Sequence, residues 1–146
     1  MPGIIVGIDG SDHSRHALEW AIGEAAVRHA PLTVFTVQQA VVGYWGSPLL
    51  YPGDADLAEQ GRKIAQEETD SVLEKFGSGS RPSSVTVRAA TGLPAEALLE
   101  AAADADMLVV GSRGAGGFKR LLMGSVSTQV THHAPCPVVV IPDENV

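Results

Sequence analysis

Hydrophobic and polar positions along the chain change period several times, and each change marks an element. The run GIIVGID (Gly3–Asp9) is β-branched and ends in turn residues, which predicts a buried strand. In DHSRHALEWAIGEAAVRHA, Leu18, Ala21, Ile22 and Ala25 recur at helical spacing, with Ser11 or Asp12 placed to cap the start. PLTVFTVQQ is a second strand. A long helix is expected over Asp54–Phe76, with Leu57, Ile64, Ala65, Val72, Leu73 and Phe76 on one stripe and Gly77 as its stop. SSVTVRAAT is a third strand, and PAEALLEAAAD a short helix with Pro94 in its first turn. DMLVVGS barely alternates, as a strand buried on both faces should. GSVSTQVTHHA follows as a helix capped near Ser125, and CPVVVIP as the fifth strand.

Strands that alternate with helices imply an α/β fold, an open five-stranded parallel sheet with helices on both faces. Right-handed crossovers follow. No internal repeat interrupts the order, and residues 1–146 read as a single domain. The long irregular stretch is Ala40–Gly53, which holds Trp45, both tyrosines and no cation. It reads equally as a lid over a site or as a loosely packed connection.

Composition narrows the class. Apolar residues make up 45% of the 146, enough for a folded core. No run approaches the ~18 residues of a membrane span. The opening MPGIIVGIDG has no cationic region and does not read as a secretion signal. Cys136 is the single cysteine, so no internal disulfide can form, which fits a reducing cytoplasm. A net charge of −7 disfavours nucleic acid and anionic membranes as partners.

The distribution of that charge is more informative than its sum. Met107 to Pro142 contains no Asp or Glu, and all 17 acids lie outside it. Inside sits GSRGAGGFKRLLMGS (Gly111–Ser125), with five glycines and the cations Arg113, Lys119 and Arg120. This stretch leaves a strand end and enters a helix start, where bare N–H groups and the helix dipole attract anions. Glycine lets a phosphate approach the backbone closely. Arg113 supplies a charge-assisted contact and Ser125 a hydroxyl. In open parallel sheets ligands bind beyond the carboxyl ends of the strands, so GIDGSD and TVQQ face the same region. The P-loop pattern GxxxxGK[ST] is absent. So is GxGxxG, because Lys119 stands where the third glycine belongs after Gly114 and Gly116.

The spacing present is Gly111-x2-Gly114-x9-Gly124-Ser125. With VVGSRGAGGFKRLLMGSVSTQV, VGIDGSDHSRHALEWA and HHAPCPVVVIP, the chain resembles the universal stress protein family, in its ATP-binding branch of single-domain, actinobacterial-like members. The resemblance covers nearly the whole chain. It implies strand order 3-2-1-4-5, an adenine nucleotide alpha hydrolase-like architecture. It implies ATP, with Mg²⁺ on its phosphates. Gly111, Gly114, Gly124, Ser125, Val126 and Ser127 match positions that hold phosphates and ribose, with Arg113 and Gly117 in the same loop. Asp9 matches an aspartate near adenine or a phosphate-bound metal. Gly7 lies in the matching first-strand pocket, and Val37 matches the residue whose backbone reads adenine. Many members carry His before that valine; Thr36 stands here, which matters little for a backbone contact. The resemblance also implies a homodimer along the last strand, through Pro137, Val138, Val139, Val140 and Ile141. That strand is apolar and placed at a sheet edge, and an uncovered apolar edge invites pairing.

Plainer readings stand beside these. His13 and His16 read as a solvated helix face, and His132 and His133 as complements to a helix C-terminus. Glu67, Glu68 and Asp70 read as a wet helix face. Lys119 and Arg120 either reach the γ-phosphate or keep the loop soluble. No nucleophile–base pair is evident, and no second carboxylate is positioned with Asp9, so hydrolysis should be slow. DGSDHS lacks the SGGxDS-type loop of ATP pyrophosphatases. The acidic pair and late lysine of a response regulator are missing. The expected function is a cytoplasmic, ATP-binding regulator of the stress response. A slow ATPase or phosphotransferase using Asp9 and a divalent metal is the alternative, and a nucleotide-free dimerisation module a third.

Overall fold

A computed structural model describes residues 3–39, 41–42, 48–49, 54–77, 79, 81–112 and 125–142. The chain runs through β1 (Ile4–Ile8), α1 (Asp12–Arg28), β2 (Pro31–Gln39), β3 (Val41–Val42), β4 (Pro48–Leu49) and α2 (Asp54–Phe76). It continues through β5 (Ser84–Gly92), α3 (Pro94–Ala101), a 3₁₀ turn (Ala102–Asp104), β6 (Met107–Gly111), α4 (Ser125–His133) and β7 (Val138–Ile141). The main sheet has five strands in the order β5-β2-β1-β6-β7, all neighbours parallel. Counting only these strands, the order is 3-2-1-4-5, as expected. Within the Ala40–Gly53 stretch, β3 and β4 pair antiparallel. Trp45 and both tyrosines, Tyr44 and Tyr51, lie outside the described residues.

Each face of the sheet has its own core. Ile4, Val6 and Ile8 of β1 point to one face, with Leu32, Val34 and Val109, and pack under α1 and α2. Ile5, Phe35, Leu108 and Val110 point to the other, under Leu98 of α3 and Val130 of α4. Burial on both faces explains why Met107–Val110 show no polar alternation.

The first helix forms as its pattern predicts. Ser11 caps it, its hydroxyl accepting the Ser14 N–H, and Ala17, Leu18, Ala21, Ile22 and Ala25 are fully buried. His29 ends it in the left-handed conformation, φ 53°.

The second helix corrects the expected stripe. Ala65, Val72 and Leu73 are buried and Phe76 packs against the same core, but Leu57 and Ile64 are 52% and 64% exposed. The buried line runs instead through Gly61, Ala65, Thr69 and Val72. Small residues bring the helix axis close to the sheet. Thr69 is fully buried, and its hydroxyl donates back to the Ala65 carbonyl at 2.7 Å. The larger Leu57 and Ile64 stay in solvent.

This arrangement separates two substitutions that the sequence pattern treats alike. Leu73→Ala should cost about 2–5 kcal/mol, the usual penalty for emptying a core leucine site. Ile64→Ala should change stability by no more than about 0.5 kcal/mol. Urea denaturation of the two variants checks the assignment.

Candidate functional site

The carboxyl ends of the strands are uneven, and a reversal of strand order among them sets the place of a crevice. β1 ends at Ile8, opposite Thr36, while β2 continues through Val37, Gln38 and Gln39, paired there, among the described residues, with β5 alone. On the other side of β1, β6 ends at Gly111 against Ile141 of β7. The chain leaves β1 toward β2 and β5 on one hand and β6 and β7 on the other, so the order reverses beside β1. Such a reversal opens a space above the strand ends.

At the end of β1 the chain turns through Gly10 at φ +85°, a conformation suited to glycine. Asp9 is exposed at this turn. Its Oδ1 accepts from the Ser11 N–H at 2.9 Å and from the Ser11 hydroxyl. The Asp9 N–H donates to the Ser14 hydroxyl at 3.2 Å. Ser11 thus caps α1 and orients the carboxylate with the same side chain. Asp9 lies exposed beyond the strand end, with its Oδ1 held by Ser11.

Across the crevice, α4 starts at Ser125. Ser127 is buried, and its hydroxyl donates to the Ser112 carbonyl at 3.1 Å. The bond ties the first turn of α4 to the residue after β6. Ser112 in turn donates its N–H to the Ile141 carbonyl at 2.8 Å. Val126 packs partly into the core under α4. Of the site residues expected from sequence, Asp9, Val37, Gly111, Val126 and Ser127 therefore meet at one edge of the sheet. Ser125 opens the helix there. Arg113, Gly114, Gly117 and Gly124 lie outside the described residues, as do Lys119 and Arg120.

Gly7 has a packing reason for being glycine. A Cβ built there would come within 3.0 and 3.1 Å of the two Leu98 methyls of α3. The contact faces the core and not the crevice.

Two charged features differ from the sequence reading. Glu67 and Asp70 are exposed as expected, but Glu68 is not part of a wet face. Its side chain is only 14% exposed, and its Oε1 lies 3.8 Å from Arg15 Nε of α1. Burial raises its proton affinity above the usual carboxylate range, and the charges of Asp9 and Asp12 raise it further, while Arg15 opposes the shift. A second carboxylate is thus within electrostatic reach of Asp9. Its signal in the sequence was its place beside Thr69, on the line of small residues. His13 and His16 are half-buried on α1 where a solvated face was expected. Among the described residues no cluster of three or more His, Cys, Asp or Glu could hold a metal. His132 and His133 are exposed in the last turn of α4, as expected. Burial also raises the Cys136 thiol above its ordinary range, which leaves it mostly protonated at neutral pH.

The sequence profile described as the Universal stress protein family matches residues 2–142. The chain belongs to that family. Universal stress protein Rv2005c of Mycobacterium tuberculosis is 37% identical over 141 residues, 95% of this chain and 47% of the relative. The chain spans about half the length of such curated relatives. Universal stress protein UspA from Lactobacillus plantarum superposes with a TM-score of 0.72 at 25% identity, covering 96% of this chain and 97% of that one. A universal stress protein solved in complex with cAMP superposes at 0.65 with 26% identity, covering 97% and 96%. Family membership accounts for the sheet order. No helix among the described residues is long and apolar enough to cross a membrane.

The raised Glu68 makes a signed prediction. The folded chain holds this proton to higher pH than the unfolded chain does, so between about pH 4.3 and its raised value stability falls as pH rises. Glu68→Gln removes that loss. The variant should be more stable than wild type at pH 8, and the gap should close toward pH 4. Urea midpoints measured at both values check it.

Proposed function

We propose that this universal stress protein binds ATP in the crevice above β1 and acts as a nucleotide-dependent regulator in the cytoplasm. The observation that carries the reading is the crevice itself. The β2 overhang, Asp9 and the α4 start share one edge of the sheet, and the segment joining β6 to α4 is rich in glycine and free of acid. A helix start preceded by glycines and cations suits phosphates. The overhanging backbone at Val37 suits the hydrogen-bonding edge of adenine. The similar protein solved with cAMP supports a purine nucleotide as ligand. Gly111, Gly114, Gly124 and Ser125 would hold phosphates, helped by Arg113 and Gly117, with Val126 and Ser127 near the ribose.

Mg²⁺ fits this arrangement. It characteristically takes one or two carboxylates together with substrate phosphates. Asp9 is an exposed carboxylate with one oxygen fixed by Ser11 and would be the side chain that holds it. When bound, the ion neutralises phosphate charge. The chain's own residues orient the nucleotide and keep Asp9 fixed at the turn. In this reading the effect on a partner would come from conformation and not from phosphate transfer.

β7 is an edge strand, and its four residues are half-buried. Leu108 donates to the Pro137 carbonyl, and Ser112 to the Ile141 carbonyl. Odd-numbered residues of β7 therefore face β6, and Val138 and Val140 turn their backbone groups to the open edge. Two copies joined by antiparallel pairing there, through Pro137–Ile141, would form a closed two-fold dimer.

Two experiments test these readings. Calorimetry on nucleotide-stripped protein should show one ATP per chain with Mg²⁺, weaker GTP binding, and at least a tenfold loss in Gly114→Ala, equivalent to about 1.4 kcal/mol. Absence of heat with ATP would overturn the nucleotide site. In light scattering, wild type should be a dimer and Val140→Pro a monomer, since proline removes an outward N–H and leaves the β6 ladder intact. An unchanged dimer in that variant would place the interface elsewhere.

A further inference from the structure

Gln38 and Gly61 make a contact that neither core explains. Gln38 lies in the β2 overhang, one residue past Val37 and two past the last pairing with β1. Gly61 is buried on α2. A Cβ built on Gly61 would fall 2.2 Å from Gln38 Nε2, 2.8 Å from its Cδ and 3.2 Å from its Cγ. The whole end of the glutamine side chain is therefore laid across the bare helix backbone. Only glycine leaves room for it. Thr36 and Val34, earlier in β2, are buried in the ordinary way. Beyond them the strand has β5 on one edge and, on its α2 face, this carboxamide seated on a glycine.

We propose that Gln38, seated on Gly61, positions the overhanging end of β2 and thereby sets the discrimination between adenine and guanine. The inference rests on the adenine-nucleotide reading above and deepens it. Base discrimination by backbone groups requires that the strand end hold its donors and acceptors in register with the base edge, since a misplaced polar group rejects neither purine. A strand end tethered on one edge only can twist about that edge. The Gln38 side chain supplies the second tether, on the face toward α2. It is a positioning residue: it acts on the backbone at Val37 and touches no nucleotide itself. Glycine at position 61 is the matching half, because α2 must come close enough to be gripped. The substitution Gly61→Ala would evict a flexible side chain and leave the backbone and core in place.

A double-mutant cycle over Gln38→Ala, Gly61→Ala and the pair reads this contact through the ratio of ATP to GTP affinity. Each single change should lower the ratio about tenfold, mostly by weakening ATP. The double variant should be no worse than either single one, since both remove the same contact. Loss of stability alone would lower both affinities together and leave the ratio unchanged. Amide exchange at Gln38 and Gln39, measured without nucleotide, gives an independent readout and should be faster in Gly61→Ala than in wild type. Wild-type ratio in Gly61→Ala, additive losses in the double variant, or unchanged exchange at Gln38 and Gln39 would each overturn the proposal. Wild type that binds neither nucleotide would instead defeat the nucleotide reading, and the exchange measurement would still decide whether the seat holds the strand.

Discussion

Parallel pairing of β1 with both β2 and β6 is the constraint on which the rest of the structure depends. A parallel neighbour cannot be reached by a tight turn, so every connection must cross a face of the sheet. The crossings bury both faces, and burial demands strands apolar on both sides, as in β1 and β6. Because β1 sits between two halves that leave it in opposite directions, the covering helices start apart above its end. The crevice is a consequence of that topology and needs no further device to open it.

What the crevice contains depends on strand length. β2 outruns β1 by three residues, so among the described residues its end pairs with β5 alone, beside the turn that carries Asp9. The turn itself is economical in atoms. Ser11 caps α1, accepts the Ser14 N–H and donates to Asp9, so the helix start and the carboxylate are oriented together. Opposite, Ser127 and Ser112 tie the start of α4 to the end of β6 and through it to β7. A displacement of β7 would therefore be felt at the α4 start through two hydrogen bonds. That path links the proposed dimer edge to the proposed phosphate end.

The second helix shows how small residues direct a fold. Gly61, Ala65 and Thr69 let α2 approach the sheet more closely than leucines would. Close approach has two results. Gln38 finds a seat on the helix backbone, and Glu68 is drawn against α1, where burial outweighs the attraction of Arg15. A half-buried carboxyl of this kind costs stability when ionised.

The sequence by itself determined the alternation of strands and helices, the parallel sheet, a cap at Ser11 or Asp12 and the acid-free glycine segment. Each rests on local signals: β-branched runs, helical spacing, capping residues and charge along a short stretch. Family resemblance added the strand order, which pairing then bore out. The exposure of Leu57 and Ile64 was decided by tertiary structure, because periodicity marks a face but not how near its helix lies. Gly7 became a packing residue because Leu98, far away in the chain, occupies the space beside it. Glu68 became a half-buried carboxyl because it lies against Arg15 of α1, and no window of sequence contains both helices. Gln38 and Gly61 are 23 residues apart and on different elements. Their contact exists only once the sheet has set the distance between strand and helix, and that distance is a property of the assembled core.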